Sequence, residues 1–386
     1  MLRNVSLRQQ VLVLAALAVL RSAEAEARQT KAPVPATASR VTVETVANGF
    51  VHPWGLQFLP DGRMLVTERP GRLRIVSRDG RLSTPIAGVP GVLAQGQGGL
   101  LDVALASDFA ASRTIFLSYA EPRSDGNGTA VARARLTETG DGGRLDEPRV
   151  IFRQLPSGGG GLHFGSRIAI ARDGNLFVTL GDRYHGRDYA QAAGRHWGKV
   201  VRITPDGAAP ADNPFTGRAG ARAEVWSLGH RNPQSAAIHP VTGKLWTVEH
   251  GAQGGDEVNI PEAGKNYGWP VITYGRDYSG ARIGEGTAKL GMEQPVYYWD
   301  PSIAPSGMAF YTADLAPQWK GNLFVGALAG RHLARLVIDG EMVVGEEKLL
   351  VDVGERIRDV RQGPDGALYV LTDSPEGRVL RVAPRS

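Results

Sequence analysis

Residues 60–67 read Pro-Asp-Gly-Arg-Met-Leu-Val-Thr, a tight turn followed by an alternating strand. Asp-Gly supplies the positive-φ residues of a hairpin turn, and the residues after it alternate as in a half-buried strand. The unit returns at residues 172–179 and 364–371, and looser copies start at Asp108, Val241 and Lys320. Six copies predict six small antiparallel sheets.

The edge strands of a small sheet expose unpaired backbone N–H and C=O groups. When such sheets pack radially, each face is covered and only short edges remain exposed. The repeat therefore predicts an all-β fold, a six-bladed β-propeller of four-stranded antiparallel blades, as one domain over residues 41–386. A two-sheet sandwich and a β-helix are the alternatives. The irregular spacing of the units argues against the β-helix.

The composition limits the classes of reaction and partner that are open to the chain. The 386 residues are 42% hydrophobic and 22% charged, which excludes a wholly disordered chain. Cysteine is absent, so disulfides and thiolate metal sites are excluded, and redox chemistry requires a bound cofactor. The formal charge is +5, but arginine is scattered singly, so no nucleic-acid partner is expected.

The N-terminus has the three parts of a secretory signal. Arg3 and Arg8 precede an apolar run over residues 11–20, and small residues with two Ala-x-Ala sites follow. We expect a signal peptide at residues 1–27, a flexible tether at 28–40 and a periplasmic or secreted mature protein. The apolar run is too short to cross a bilayer core of about 30 Å, so no membrane span is predicted.

Two loops offer reactive side chains. His163 lies in the glycine-rich stretch 161–167, and an imidazole suits proton abstraction near neutral pH, although such a residue also fills turns. In residues 228–234, Arg231 can form two parallel hydrogen bonds to a carboxylate, or bond to a quinone oxygen, and amides lie beside it. The alternative is a loop stapled by Arg231 to backbone carbonyls.

Two further regions suit a cation and an anionic ligand. Residues 249–259 and 264–270 combine carboxylates with glycine-rich backbone, which suits Ca²⁺ rather than zinc, unless the acids are solvated turn charges. Trp299 could stack on a flat ligand, and Arg356 and Arg358, two residues apart on a strand, point the same way. A core aromatic and a surface ion pair are the alternatives. Together the four regions indicate a flat, anionic, calcium-linked ligand.

From residue 52 to residue 381 the chain resembles the soluble aldose sugar dehydrogenases that depend on pyrroloquinoline quinone (PQQ), within the glucose/sorbosone dehydrogenase family. The resemblance rests on residues 97–101, 163–167, 229–234, 254–257, 266–270 and 356–360. It implies an oxidoreductase that uses PQQ and Ca²⁺ to oxidise aldoses at C1 to lactones. The implied partners are an aldose mono- or oligosaccharide and an external electron acceptor such as a quinone, a cytochrome or a dye.

The resemblance also implies roles for individual residues. His163 would be the general base for the anomeric hydroxyl while hydride passes to PQQ, Arg231 would stabilise charge on the reduced cofactor, and Gln97 would bind the sugar. Gly251 and Ala252 carbonyls would hold the catalytic Ca²⁺, and Glu257 and the Tyr267 carbonyl a structural one. The implied cofactor contacts are Arg167, Arg231, Asn232, Tyr274, Tyr298, Trp299, Asp300, Ala327, Leu328, Ala329, Arg331, Arg356 and Arg358.

Two positions depart from the family pattern: Ala329, and Ala252, which is often proline in relatives. Relatives often carry lysine where this chain has Ala329, and Arg331 is the candidate to supply that charge. Two other functions remain open alternatives: a calcium-dependent propeller lactonase and a non-catalytic carbohydrate-binding propeller. A lactonase needs metal-bound water held by carboxylates and has no use for three arginines and a stacking tryptophan.

Overall fold

The computed structural model describes residues 30–385, and the predicted signal peptide lies outside them. Blade 1 contains β2 (Pro53–Phe58), β3 (Met64–Glu68) and β4 (Arg72–Val76); blade 2 contains β5 (Leu100–Leu105), β6 (Thr114–Arg123), β7 (Gly126–Glu138) and β8 (Gly143–Arg153). Blade 3 contains β9 (Ile168–Ile170), β10 (Leu176–Leu180), β11 (Lys199–Ile203) and β12 (Val225–Leu228). Blade 4 contains β13 (Pro233–Ile238), β14 (Leu245–Glu249), β15 (Asp256–Asn259) and β16 (Tyr297–Trp299).

Blade 5 contains β17 (Pro305–Phe310), β18 (Leu323–Ala327), β19 (His332–Asp339) and β20 (Met342–Leu349). Blade 6 joins β21 (Ile357–Gln362), β22 (Leu368–Thr372) and β23 (Gly377–Pro384) to β1 (Val41–Phe50). The short helices are α1 (Phe109–Ser112) and two 3₁₀-helices, Arg187–Gln191 and Pro317–Trp319. The predicted six-bladed propeller is confirmed.

The ring closes in two ways. The innermost strands β2, β5, β9, β13, β17 and β21 pack against one another in chain order, and β21 returns to β2. In blade 6, β1 pairs antiparallel with β23, from Val41 opposite Pro384 to Phe50 opposite Gly377. The first strand thus covers the edge of the last blade, which ties the two ends of the chain together.

The repeated turns connect each innermost strand to the next strand outward. The glycines of the three Asp-Gly turns have φ of 86° at Gly62, 83° at Gly174 and 81° at Gly366, conformations that favour glycine. In blade 2 the short helix α1 takes the place of the turn. The local pattern was therefore a sound guide to the strand order.

Blade 1 has three strands rather than the predicted four. Residues 82–86 follow the edge of β4, where Ser83 donates its backbone N–H to the Ile75 carbonyl and Ile86 donates to the Leu73 carbonyl. Pro85 lies between these two bonds and has no N–H to give. The fourth position is consequently filled by irregular chain instead of a strand.

The segment predicted as a flexible tether packs on the propeller where the structure describes it. Ala32 donates its backbone N–H to the Tyr297 hydroxyl at 2.9 Å, and the backbone N–H of Glu346 donates to the Pro33 carbonyl at 3.1 Å. The Ser39 hydroxyl accepts bonds from the Trp319 indole at 2.9 Å and from Arg335 at 2.6 Å. Blades 4 and 5 thus supply partners for polar groups of residues 31–39, and a flexible tether at residues 28–40 stays a prediction.

No helix among residues 30–385 is long and apolar enough to cross a membrane. The core lies between neighbouring blades; between blades 4 and 5, Trp246, Val258, Met308 and Val325 are almost completely buried. Burying side chains of this size stabilises the fold by roughly 1.5–3 kcal/mol each.

Candidate active site

Two adjoining cavities lie where the chain leads into the innermost strands. The first, here the arginine cavity, has a volume of about 330 Å³, and every blade contributes a residue near the start of its innermost strand: Trp54, Leu101, Gly165, Gln234, Ala304 and Arg358. It therefore lies on the propeller axis. The second, here the histidine cavity, has a volume of about 190 Å³ and is lined by His163, Asp182, Tyr184, Arg231, Trp269 and Tyr278, among others.

His163 and Asp182 form a buried couple. The imidazole Nδ1 lies 2.6 Å from Asp182 Oδ1, and the His163 side chain is only 7% exposed. Burial lowers the pKa of His163 below its ordinary value of 6.5, the bond to Asp182 opposes this, and the positive charge of Arg231 adds to the lowering. A carboxylate only accepts, so Nδ1 carries the proton and Nε2 presents a lone pair. His163 is a neutral base at pH 7.

The backbone around His163 is in an uncommon conformation. His163 has φ 51°, in the left-handed region, and its N–H donates to the Gln97 side-chain oxygen at 2.9 Å. Left-handed backbone is costly for a residue other than glycine, so the surrounding contacts must hold it. Gln97 thus fixes the loop that presents the imidazole.

Asp182 is a site residue that sequence reasoning missed. It follows β10 and accepts, besides His163, the backbone N–H of Tyr184 at 2.8 Å and the Trp269 indole N–H at 2.8 Å. Asp373, which lines the arginine cavity, was missed as well and follows β22. An acid at the end of a repeated Val-Thr or Leu-Thr strand was the signal that could have found both.

Arg231 adjoins the His163 couple. Its guanidinium donates to the Gly251 carbonyl and, at 3.3 Å, to the His250 carbonyl, and lies 5.2 Å from the centre of the Trp269 ring. Its backbone N–H donates to Glu249 at 2.7 Å. The structure shows the stapling of backbone carbonyls that the sequence left as an alternative. Contact with a quinone remains a prediction.

A cluster of positive charge lines one side of the arginine cavity. Asp373 lies 2.9 Å from Arg358, 3.5 Å from Arg356 and 4.0 Å from Arg69. Burial opposes ionisation of Asp373, yet these arginines hold its pKa well below the usual range. One carboxylate faces three guanidinium groups, so the cluster keeps an excess positive charge. The predicted convergence of Arg356 and Arg358 is what the structure shows.

Three buried donors near this cavity have no hydrogen-bond partner within residues 30–385: Nε of Arg358, Nε of Arg69 and Nδ2 of Asn232. Asn232 uses its Oδ1 to accept from the Gly165 N–H at 3.1 Å and from Gln234 at 3.1 Å. A buried donor left without an acceptor costs about 1–3 kcal/mol. Such donors suit a ligand rich in oxygen.

Arg167 and Trp299 are among the predicted cofactor residues that line neither cavity. Arg167 is fully buried between Asp102 at 3.0 Å and Asp359 at 3.1 Å, and its guanidinium stacks on Trp54. Arg167 therefore supports the cavity wall with its charge already neutralised. Trp299 lies in the core between blades 4 and 5 and donates its indole N–H to Glu346 at 2.9 Å. In this position its ring has no open face toward either cavity.

The other predicted cofactor residues are dispersed. Tyr274 stacks on Tyr298 with ring centres 3.8 Å apart. Leu328 lines the arginine cavity, and Arg331 donates to the Gly354 carbonyl at 3.1 Å. Ala327 is buried, whereas Asp300 and Ala329 are exposed.

The predicted calcium residues gather around blade 4. Glu257 accepts from Asn259 at 3.0 Å, and burial together with the charges of Glu249 and Asp256 raises its pKa to about 8. The Ala252 carbonyl accepts from Ser302 at 3.4 Å, and Tyr267 is buried with its ring stacked on His230. Within residues 30–385, no three His, Cys, Asp or Glu side chains form a metal cluster. A cation here would therefore need backbone carbonyls in addition to the Glu257 carboxylate.

Fold and site together define an enzyme-type propeller, in which a neutral imidazole with a carboxylate partner adjoins an axial cavity suited to an anion. The family model described as Glucose / Sorbosone dehydrogenase matches residues 50–381, and the chain belongs to that family. The family that the motifs indicated, and an enzyme that oxidises sugars, are thereby confirmed.

Individual relatives and solved structures support the same family membership. The chain is 50% identical to the aldose sugar dehydrogenase YliI of Escherichia coli K12 over 91% of this chain and 94% of that one. It is 27% identical to quinoprotein glucose dehydrogenase B of Acinetobacter calcoaceticus over 94% and 93%. Similar crystal structures include the apo-form of soluble E. coli aldose sugar dehydrogenase (TM-score 0.86, 49% identity, covering 90% and 100%) and the PQQ-bound form of the Streptomyces coelicolor enzyme (0.75, 29%, 91% and 100%).

Proposed function

We propose that this chain oxidises aldose sugars at C1 to lactones, with bound PQQ as the hydride acceptor and Ca²⁺ as a second cofactor. The observation that carries the proposal is the His163–Asp182 couple, which presents a free imidazole nitrogen beside a positively charged axial cavity. The PQQ-bound structure of a relative supports the choice of cofactor.

The residues present fit PQQ. PQQ is a flat molecule with three carboxylates and an ortho-quinone, and it supplies a carbon that accepts hydride from the sugar. Arg69, Arg356 and Arg358 bring charge of the opposite sign, while Trp54 and Phe164 offer flat apolar walls. The unpartnered donors of Arg358, Arg69 and Asn232 would gain acceptors from its oxygens. Arg167 would instead support the wall of the arginine cavity, and Trp299 would pack in the core between blades 4 and 5.

The fit to Ca²⁺ is carried by carbonyl and carboxylate oxygens. The Gly251 carbonyl oxygen accepts from the Arg231 guanidinium, so it would bind Ca²⁺ with its second lone pair. We propose that Gly251 and Ala252 carbonyls hold the catalytic ion, and that Glu257 and the Tyr267 carbonyl hold a structural one. A second cation would relieve the crowding of Glu257 with Glu249 and Asp256.

In the proposed reaction, His163 accepts the proton of the C1 hydroxyl at Nε2, and Asp182 stabilises the imidazolium that forms. Gln97 already uses its oxygen on the His163 backbone, which leaves its amide nitrogen to donate to a sugar oxygen. Arg231 supplies positive charge where negative charge develops. We also propose that residues 1–27 are removed on export, so that the enzyme acts in the periplasm or outside the cell.

The test is reconstitution. The purified protein, freed of cofactor, receives PQQ and Ca²⁺, and reduction of a dye is followed with glucose and other aldoses. We expect sugar-dependent reduction that requires both additions and disappears with a chelator. A folded sample with no sugar-dependent reduction would refute the proposal; hydrolysis of sugar lactones would favour the lactonase, and sugar binding without turnover the binding propeller.

A further inference from the structure

We propose that Trp269 is a positioning residue that assigns Asp182 to His163 and keeps Arg231 apart from that carboxylate. Trp269 is buried and lines the histidine cavity. The inference rests on the proposed function in one respect, the role of His163 as the base.

The indole N–H fixes the rotation of the Asp182 carboxylate. Oδ2 accepts from Trp269 at 2.8 Å, and Oδ1 accepts from His163 Nδ1 at 2.6 Å and from the Tyr184 backbone at 2.8 Å. A carboxylate that gives one oxygen to each ring cannot rotate without breaking a charge-assisted bond. The indole therefore holds the carboxylate in the rotation that brings one oxygen to the imidazole.

The face of the same indole holds Arg231. The backbone N–H of Asp182 donates to the Arg231 carbonyl at 2.8 Å, so the two opposite charges sit on adjoining stretches of backbone. Their side chains nevertheless form no ion pair in the described chain: Asp182 pairs with His163, and Arg231 bonds to carbonyls. The guanidinium lies 5.2 Å from the Trp269 ring centre, within the range of a cation–π contact.

A direct pair between Asp182 and Arg231 would damage both groups. It would withdraw the carboxylate from His163 and neutralise the cation nearest the imidazole. With Trp269 in place, the carboxylate lies at the edge of the indole, where the polar hydrogen is, and the cation lies at its face, where the π electrons are. One side chain thus satisfies two opposite charges separately.

Trp269 is itself held by the backbone of neighbouring loops. Its backbone N–H donates to the Gly229 carbonyl at 2.9 Å, and its backbone carbonyl accepts from the Gln191 side chain at 2.7 Å. Gly268 before it has φ 89°, and a Cβ there would lie 2.1 Å from Ile272. The backbone of Trp269 is consequently held without help from the side chains of Asp182 or Arg231.

The test compares Trp269→Phe, which keeps a ring and removes the N–H, with the matched control Trp197→Phe. Trp197 is equally buried, but its indole donates to the neutral Pro156 carbonyl at 2.8 Å. In the protein without PQQ, the pKa of His163 is measured by NMR of labelled histidine. The charged and titratable groups that interact with His163 are Asp182, Arg231, Arg183 and His250, with the Tyr184 ring at its edge.

We expect the His163 pKa to rise by about half a unit to one unit in Trp269→Phe, because Asp182 concentrates its charge on the remaining partner. In the reconstituted enzyme, the acid limb of the kcat profile moves to higher pH by the same amount, and plateau kcat falls about threefold to tenfold. PQQ affinity stays at the wild-type value, since Trp269 does not line the arginine cavity. Trp197→Phe keeps the wild-type profile.

Identical His163 pKa values in Trp269→Phe and Trp197→Phe would overturn the inference, even in a fully active enzyme. A wild type without sugar oxidation would instead refute the proposed function, and the NMR measurement would still report on Trp269. If Trp269→Phe does not fold, the indole N–H resonances are compared by NMR between the wild type and Asp182→Asn, both labelled in their tryptophans. We expect the Trp269 indole N–H resonance to move in Asp182→Asn, and no movement would equally overturn the inference.

Discussion

Replacing Asp182 with asparagine changes one oxygen to a nitrogen and leaves the shape intact. The carboxylate accepts from both His163 and Trp269, whereas an amide can accept on one side only. If the amide oxygen faces the indole, its NH₂ meets Nδ1 and drives the imidazole proton onto Nε2. The lone pair needed for proton abstraction is then lost. If the oxygen faces the imidazole, two donors collide at Trp269.

The expected loss of kcat in Asp182→Asn can be estimated from these hydrogen bonds. Losing one hydrogen bond to a charged group costs about 1.5–3 kcal/mol, which corresponds to about 10- to 150-fold in rate. The wrong tautomer removes the general base altogether, which is worth roughly 10²–10⁴-fold. We therefore expect kcat of Asp182→Asn to fall by roughly 10²–10⁴-fold, with PQQ affinity unchanged because Asp182 lies outside the arginine cavity.

The assay is dye reduction with saturating PQQ and Ca²⁺, together with a fluorescence titration of PQQ. The matched control is Asp188→Asn. Asp188 is an exposed acid that lines the histidine cavity, as Asp182 does, but it has no bond to His163. We expect the control to stay near the wild type. A kcat for Asp182→Asn within about threefold of wild type would refute the argument that the carboxylate sets the tautomer.

Three further outcomes are expected. Because burial holds the His163 pKa below 6.5, kcat/KM should rise with pH through a midpoint below that value, and a midpoint above 7 contradicts this. Arg358→Met should weaken PQQ binding at least about tenfold in a direct titration, because it removes a buried cation that lines the cavity; unchanged affinity would place the carboxylates elsewhere. Ser39→Ala should lower the free energy of unfolding in urea by about 1–3 kcal/mol, since the hydroxyl bonds to both Trp319 and Arg335; an unchanged midpoint would mean that residues 31–39 do not pack in solution.

The fold was predictable because its signal is local. A turn dipeptide and the alternation that follows it act over a few residues, and six copies leave little choice of architecture. The structure adds one local and one long-range feature. Pro85 interrupts the fourth strand of blade 1, and the chain before Val41 gains partners on blades 4 and 5 that its composition did not indicate.

The site was predictable only in part. Motifs led to His163, Arg231, Arg356 and Arg358, all of which the structure brings to the two cavities. Their carboxylate partners were missed, because the acids at the ends of the repeated strands were not compared with one another. Trp269 was included in a motif, but nothing in the sequence showed which charges it would touch.

By itself, the sequence determined the repeated strands, the absence of thiol chemistry and the family. Only the tertiary structure decided which charges meet: His52 and Asp373 are 321 positions apart, and Arg167 takes its carboxylates from blades 2 and 6. The reason is physical. Turn and strand preferences depend on neighbours along the chain, whereas an ion pair depends on distance in space, which is set once the ring of blades closes.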